Sequence, residues 1–343
     1  MKIAILDDYQ DAVRKLDCFK LLDGHEVKVF HHSVRGLGQL AIRLAPFDAL
    51  VLIRERTSLS RALLAKLPNL KLISQTGKVS GHIDVAAATE RGIAIAEGAG
   101  SPVAPAELTW ALIMAASRRI LPYANNLKDG LWQMSSINPE LNGLGRVLRG
   151  RTLGIWGYGK IGRLLAGYGK VFGMRVMVWG SDGSRAAAEA DGFIGAASRE
   201  TFFEEADVLS LHLRLADATR GIVTAADLGR MKADALFVNT SRAELVAEGA
   251  LEAALRQGRP GQAALDVFTS EPLPAEAELL KMPAVLATPH LGYVEKDSYE
   301  MYFRAAFENV VNFANGTLTG ILNPEALQAE HRGQSPLKSN TGL

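Results

Sequence analysis

Three charged residues fall just beyond three apolar runs of this chain: Arg242 in FVNTSRAELV, Glu271 in AALDVFTSEPLP and His290 in ATPHLGYVEKDS. A guanidinium grips a carboxylate and a neighbouring oxygen as a planar fork. An imidazole takes up and releases protons near neutral pH. A carboxylate on the far imidazole nitrogen fixes the tautomer and stabilises the cation. Together the three would suit binding of a carboxylate-bearing substrate with a proton moved to or from it. Separately each has a plainer reading: Arg242 as an ion pair at a helix start, Glu271 as a loop carboxylate before Pro272, His290 as a turn histidine.

The segment LGIWGYGKIGRLLAGYGKVFGMRVMVW carries Gly157, Gly159 and Gly162 in G-x-G-x-x-G spacing. Alone that pattern is weak. Here it follows a predicted strand, Thr152 to Trp156, and opens a predicted helix from Ile161. A second strand, Arg175 to Trp179, comes at βαβ distance, and this context points to a dinucleotide. Gly157 permits the tight turn, Gly159 admits a pyrophosphate to the backbone, and Gly162 packs helix on strand. The helix start offers unpaired N–H groups to the phosphates. At the end of the second strand, where an acid usually binds the ribose, stands Gly180; Ser181 and Asp182 follow.

The elements that must position these residues alternate along the whole chain. KIAIL, HEVKVF, DALVLI, LKLIS and GIAIA read as strands, with helices at Ser60 to Lys66 and Asp84 to Arg91. A second series begins near Thr152: TLGIW, RVMVW, DVLSLHL, DALFVNT, AALDVF and AVLAT. Helices are expected at Ile161 to Phe172 and Ala243 to Gln257. This rhythm implies α/β architecture with two Rossmann-like parallel-sheet domains. Between the series, Ala104 to Ile120 reads as one buried helix with Pro105 in its first turn. SYEMYFRAAFENVVNFANG reads as another helix, stopped by Gly316. In open parallel sheets ligands bind beyond the C-terminal strand ends, where Arg242, Asp266, Glu271 and His290 are expected.

The 343 residues suffice for about two domains. With 38 Lys plus Arg against 37 Asp plus Glu, no broad basic surface for nucleic acid is implied. The single Cys18 excludes an internal disulfide and a Cys-based zinc site, and no metal is expected. No apolar run approaches a membrane span, and MKIAILDDYQ lacks an h-region, so a cytoplasmic protein is expected.

The chain resembles the D-isomer-specific 2-hydroxyacid dehydrogenase family, phosphoglycerate dehydrogenase-like members included. The resemblance runs from LKLISQTGKVSGHIDVAAATERGI through GYGKIG, DVLSLHLRLADATRGIV and NTSRAELV to ALDVFTSEPL and TPHLGY. It implies a nucleotide domain, 101–290, inserted into a flavodoxin-like substrate-binding domain made of 1–100 and 291–327, with 328–343 a flexible tail. It also implies that Arg242 orients substrate, Glu271 partners the histidine and His290 is the acid/base. Contacts to NAD or NADP are then expected from Gly157, Gly159, Lys160, Ile161, Gly162, Gly180, Ser181, His212, Leu213, Thr240, Ser241, Arg242, Asp266, His290 and Gly292. Substrate contacts are expected from Arg54, Gly77, Lys78, Val79, Arg242 and His290. A homodimer built around the helix containing Trp110 is expected.

Several positions depart from the family pattern. The loop whose backbone N–H groups usually hold the substrate carboxylate is TGKVSGHID, with Lys78 and Val79 where a small residue and glycine are usual. Arg54 stands where phosphoglycerate-type members carry a substrate arginine, with Arg56 nearby. Arg214 replaces a usual proline. Relatives acting on formate pair the histidine with glutamine, so Glu271 argues against that activity. A dinucleotide-sensing, corepressor-like binding protein would retain the same three residues and is the alternative from another class. Because Gly180 replaces the ribose acid, use of both NADH and NADPH is expected.

Overall fold

In this computed structural model the described residues are 1–133, 143–318 and 320–328. They divide into two compact units: Met1–Ser101 with the residues from Glu295 onward, and Pro102–Val294.

In the first unit the strands are β1 (Lys2–Ile5), β2 (Glu26–Val29), β3 (Ala49–Leu52), β4 (Leu72–Gln75) and β5 (Ala94–Glu97). They form one parallel sheet in the order β2-β1-β3-β4-β5. β3 and β4 are buried along their whole length. Their sequences, ALVL and LISQ, therefore lack the polar alternation of a sheet with one wet face. Helices Leu37–Leu44, Arg61–Leu64 and Val85–Glu90 cover one side, burying Leu40, Leu44, Leu63 and Ala87 with Leu50, Leu52 and Ile73. Ser60 and Asp84 start the last two by accepting from the N–H groups of Leu63 and Ala87. Helix Lys296–Ala314 packs on β4, where Ser74 Oγ donates to the Ala306 carbonyl at 2.8 Å.

The second unit holds β6 (Thr152–Trp156), β7 (Arg175–Trp179), β8 (Ile194–Gly195), β9 (Val208–Leu211), β10 (Leu236–Asn239), β11 (Gln262–Leu265) and β12 (Val285–Ala287). The order β12-β11-β10-β9-β6-β7-β8 is parallel throughout and reverses between β6 and β9. That reversal is the switch point at which open sheets of this kind bind a dinucleotide. On one face Trp156, Phe202 and Phe203 meet edge to face, with centroids 5.6–6.1 Å apart. On the other, Ile113 of helix Val103–Ser117 and Leu165 of helix Lys160–Val171 bury Ile155 and Val178. Each such fully buried side chain contributes ~1.5–3 kcal/mol. Two well-packed faces hold the strand ends rigidly.

The two parallel α/β sheets are those expected, but several element boundaries are corrected. Ala243 to Gln257 is not one helix. Val246 bridges Val223 in parallel and the Ala247 N–H donates to the Val223 carbonyl, so this backbone is committed to strand-like bonds. The helix restarts at Ala250 after Gly249, whose φ is 68°. The helix expected to reach Ile120 stops at Ser117, because Arg119 turns left-handed; a second helix, Ile120–Lys128, begins there. Strand β8 is two residues long and unforeseen. Of the expected flexible tail, Gln328 lies in a turn and residues 329–343 lie outside the described residues.

Candidate active site

The glycine motif folds as its spacing requires. Gly157 has φ 105°, and a Cβ there would collide with the His212 carbonyl. A Cβ on Gly162 would collide with the Gly157 carbonyl, so only glycine lets this helix approach the turn so closely. Around Gly159 nothing lies within 4 Å of the Cβ position, and no side chain caps the helix that starts at Lys160. Open space in front of uncapped N–H groups fits a pyrophosphate. Lys160 and Ile161 form the first turn of that helix. His212 and Leu213 follow β9, next to Gly157 across the reversal of strand order. Burial pushes the His212 imidazole down to about 4, so it is neutral at pH 7; its Nε2 lies 2.9 Å from Ser210 Oγ.

At the end of β7, Gly180 and Ser181 lead into helix Asp182–Ala190, and the Ser181 hydroxyl accepts from the Ser184 N–H. Asp182 is 95% exposed and paired with Arg185. The Arg185 guanidinium lies 4.8 Å from the centre of the Trp179 ring. The strand end itself carries no acid.

Arg242 sits in the turn after β10. Asn239, 2% exposed, clamps this turn from both sides: its Nδ2 donates to the Arg242 carbonyl at 2.8 Å and its Oδ1 accepts from Ser241 N at 3.0 Å. Ser241 Oγ donates to the Leu213 carbonyl, and Thr240 Oγ1 lies 2.7 Å from Thr109 Oγ1. Arg242 Nη1 donates to the Ser241 carbonyl at 2.7 Å. Asn239 and Thr109 were not foreseen; a buried amide at a strand end was the available signal for the first.

Glu271 and His290 meet as the sequence reading expected. Nδ1 of His290 lies 2.7 Å from Glu271 Oε2, and Glu271 Oε1 accepts from Phe268 N at 2.9 Å. Burial opposes the charge of Glu271, but His290, the Phe268 N–H and Arg242 outweigh it and hold the carboxyl below its ordinary value. His290 has φ 52°, a left-handed backbone that costs a non-glycine residue of order 1–3 kcal/mol. The surroundings impose it. Asp266, fully buried at the end of β11, accepts from Thr288 Oγ1 at 2.6 Å, Leu291 N at 2.7 Å and Gly292 N at 2.9 Å. These three bonds tie the Asp266 carboxylate to the loop that carries His290. Gly292, too, is buried beside Asp266 Oδ2 and Pro105.

In the first unit, Arg54 has φ 53° and its guanidinium lies over Gly77, where a Cβ would overlap Nη1. Its N–H donates to Thr76 Oγ1. Arg56 is engaged with the Asp7 carbonyl at 2.7 Å and the Tyr299 hydroxyl at 3.4 Å. Two of the donors expected to face substrate are already engaged. Glu97, at the end of β5, accepts from Val79 N at 2.8 Å and from Lys78 Nζ at 2.6 Å. Asp8, Asp11 and His31 bring potential ligand atoms within 4.8 Å of one another. The Asp8 carboxylate, however, caps the N–H groups of Ala12 and Val13.

Fold and motif together define a dinucleotide-dependent dehydrogenase architecture, with the strand order reversing beside the Gly157 turn. Comparison with known proteins narrows the class. The family described as D-isomer specific 2-hydroxyacid dehydrogenase, NAD binding domain, matches residues 110–292. A glyoxylate reductase of Aeropyrum pernix is 37% identical over 276 residues, 79% of this chain and 82% of that protein. The crystal structure of a phosphoglycerate oxidoreductase from Vibrio cholerae O395 is 60% identical, with TM-score 0.88, covering 92% of this chain and 99% of that one. An oxidoreductase of Ralstonia solanacearum, provisionally assigned as a D-3-phosphoglycerate dehydrogenase, is 58% identical with TM-score 0.93, covering 96% and 98%. The chain belongs to the D-isomer-specific 2-hydroxyacid dehydrogenase family. It is an NAD(P)-dependent oxidoreductase acting on CH–OH groups.

Proposed function

We propose that this protein interconverts a small 2-oxo acid and its D-2-hydroxy acid, with His290 as acid/base, Glu271 as its partner and Arg242 as the substrate-orienting cation. The observation that carries the reading is the 2.7 Å contact between His290 Nδ1 and Glu271, which leaves Nε2 for substrate. In the reductive direction His290 gives a proton to the oxo oxygen; in oxidation it takes the proton from the hydroxyl. Arg242 binds the substrate carboxylate and 2-oxygen as a fork. The nicotinamide, when bound, supplies or takes up the hydride. Residues proposed to hold the cofactor are Gly157, Gly159, Lys160, Ile161, Gly162, Gly180, Ser181, His212, Leu213, Thr240 and Ser241, all in the second unit. The first unit is proposed to hold substrate through Arg54 and the Gly77–Val79 loop. Oxidation of NADH or NADPH on adding glyoxylate, hydroxypyruvate or phosphohydroxypyruvate tests the reading; no turnover with any of them overturns it.

Glu271→Gln is expected to move the pH–rate profile. Losing the carboxylate removes the charge that the His290 side chain favours in Glu271 and that would in turn stabilise an imidazolium. The alkaline limb of oxo-acid reduction, which needs the protonated ring, and the acidic limb of hydroxy-acid oxidation, which needs the neutral ring, both move to lower pH. Unmoved limbs in both directions would make Glu271 a loop residue only.

Both cofactors are expected to serve. The outward, paired Asp182 leaves the end of β7 without an acid to repel a 2′-phosphate, and Ser181 and Arg185 stand close by. Kinetics with NADH and NADPH on one good oxo acid check this. A preference for NADH on the order of a thousandfold, about 4 kcal/mol, would mean that another acid guards the ribose.

A homodimer formed around helix Val103–Ser117, with Trp110, belongs to the same proposal. The exposed apolar side chains Leu121, Leu127, Trp132, Leu144 and Val171 of this unit support it. A monomeric mass in solution overturns it. No described helix is long and apolar enough to cross a membrane, and buried, unpaired Cys18 suits the reducing cytoplasm proposed as its location.

A further inference from the structure

Between Gly157 and Gly159 stands Tyr158, only 6% exposed. The tight pyrophosphate turn is made by the glycines and needs no large side chain between them. The Tyr158 ring instead enters the core cluster that contains Leu165 and Ala188, and meets Phe193 edge to face at 6.2 Å. Its hydroxyl donates to Asp191 Oδ2 at 2.8 Å. Asp191 is the residue that ends helix Asp182–Ala190. Arg163, in the first turn of helix Lys160–Val171, pairs with the same carboxylate oxygen. Its guanidinium lies 4.5 Å from the centre of the Tyr158 ring. Burial and the neighbouring Asp191 push the Tyr158 phenol up to about 12, so it stays a donor at neutral pH.

Three elements thus meet at one carboxylate: the glycine turn, the start of helix Lys160–Val171 and the end of helix Asp182–Ala190. The first two form the proposed pyrophosphate site. The third begins at the other end of the same helix, where Gly180 and Ser181 are proposed to meet the adenosine ribose. A helix of 9 residues is a stiff rod of roughly 14 Å, so fixing its last residue constrains where its first one lies. The ion pair alone would hold this weakly, because Arg163 and Asp191 are 47% and 42% exposed. The phenol is better placed. Its ring is locked in the core, and a hydrogen bond from it to a charged acceptor is among the stronger kinds.

We infer that Tyr158 is a positioning residue for the cofactor: through Asp191 it fixes the spacing between the pyrophosphate turn and the ribose-binding end of β7. The inference rests on the proposed cofactor site and lies entirely within the second unit.

The experiment compares ligands that span both places with one that reaches a single place. NADH and ADP-ribose bridge the turn and the end of β7, whereas adenosine reaches only the latter. Dissociation constants are measured for the parent, Tyr158→Phe, Asp191→Ala and the double variant, by nicotinamide fluorescence for NADH and by calorimetry for the others. Tyr158→Phe is expected to weaken NADH and ADP-ribose by on the order of tenfold, the scale of one hydrogen bond to a charged group, and to leave adenosine at its parental value. Asp191→Ala, at an exposed position, should match it and gives a second reading should Tyr158→Phe fold poorly. The double variant should bind NADH no more weakly than either single one, because both changes remove one bond; this reading needs no fragment. A merely structural Tyr158 would lower the melting temperature and leave the affinity for ADP-ribose unchanged, which overturns the inference. Equal losses for adenosine and ADP-ribose, or additive losses in the double variant, overturn it too and leave the proposed cofactor site standing. A parent that binds neither NADH nor ADP-ribose overturns that site, and this inference with it.

Discussion

Replacing His290 by alanine is expected to lower turnover on the order of 100-fold or more, the usual scale of general acid–base help, while cofactor affinity is retained. The two effects separate because different parts of the second unit carry them. The pyrophosphate site is the Gly157 turn and the uncapped start of helix Lys160–Val171, and neither involves the imidazole. Substitution is not expected to unravel the loop, since the Leu291 and Gly292 N–H groups stay on Asp266. His212, at the end of β9, offers no substitute: burial pushes it down to about 4, so it holds no proton to give at neutral pH. Steady-state kinetics on a competent oxo acid, with cofactor affinity from nicotinamide fluorescence, check both halves. Unchanged turnover would remove His290 from the chemistry.

Most of what positions this histidine was readable in one dimension. The strands announced themselves because parallel sheets covered on both faces need short, largely apolar runs such as ALVL and TLGIW. The strand-end rule then picked out Arg242, Glu271 and His290. What escaped depends on strand order, which spacing does not encode. Glu97 obeys the same rule as Glu271, but its partner Val79 lies 18 residues upstream, on the neighbouring strand's loop. Asp266 reads as one more strand-end acid until β12 is laid beside β11, bringing Leu291 and Gly292 over its carboxylate. The same neighbourhood makes the left-handed turn at His290 affordable. The break before Ala250 was hidden for a related reason: Val246 and Ala247 have ordinary helical neighbours in sequence, and only the contact with Val223 takes them out of the helix.

Arg242→Lys is expected to cost nearly as much activity as loss of the histidine, although charge is conserved. The guanidinium is planar with five N–H donors, so one edge can stay on the protein while the other meets substrate. Nη1 already donates to the Ser241 carbonyl at 2.7 Å, and the Arg242 carbonyl is held by Asn239 Nδ2 at 2.8 Å. Both ends of the residue are fixed before substrate arrives. An ammonium at the end of a flexible stem is a point charge: if it bonds Ser241 it is withdrawn from the substrate, and if it reaches the substrate it bonds one oxygen rather than two. The 2-oxygen then loses a donor as charge develops on it, so kcat falls as well as apparent affinity. Removing one such donor typically costs on the order of 100-fold in kcat. Glu271 supplies a second readout, since Arg242 is among the charges that hold its carboxyl low and a lysine at that position preserves the sign. The pH profile of Arg242→Lys should therefore stay close to that of the parent while its height drops. Near-parental kcat/KM in the lysine variant would show that charge alone suffices and that Arg242 makes no fork.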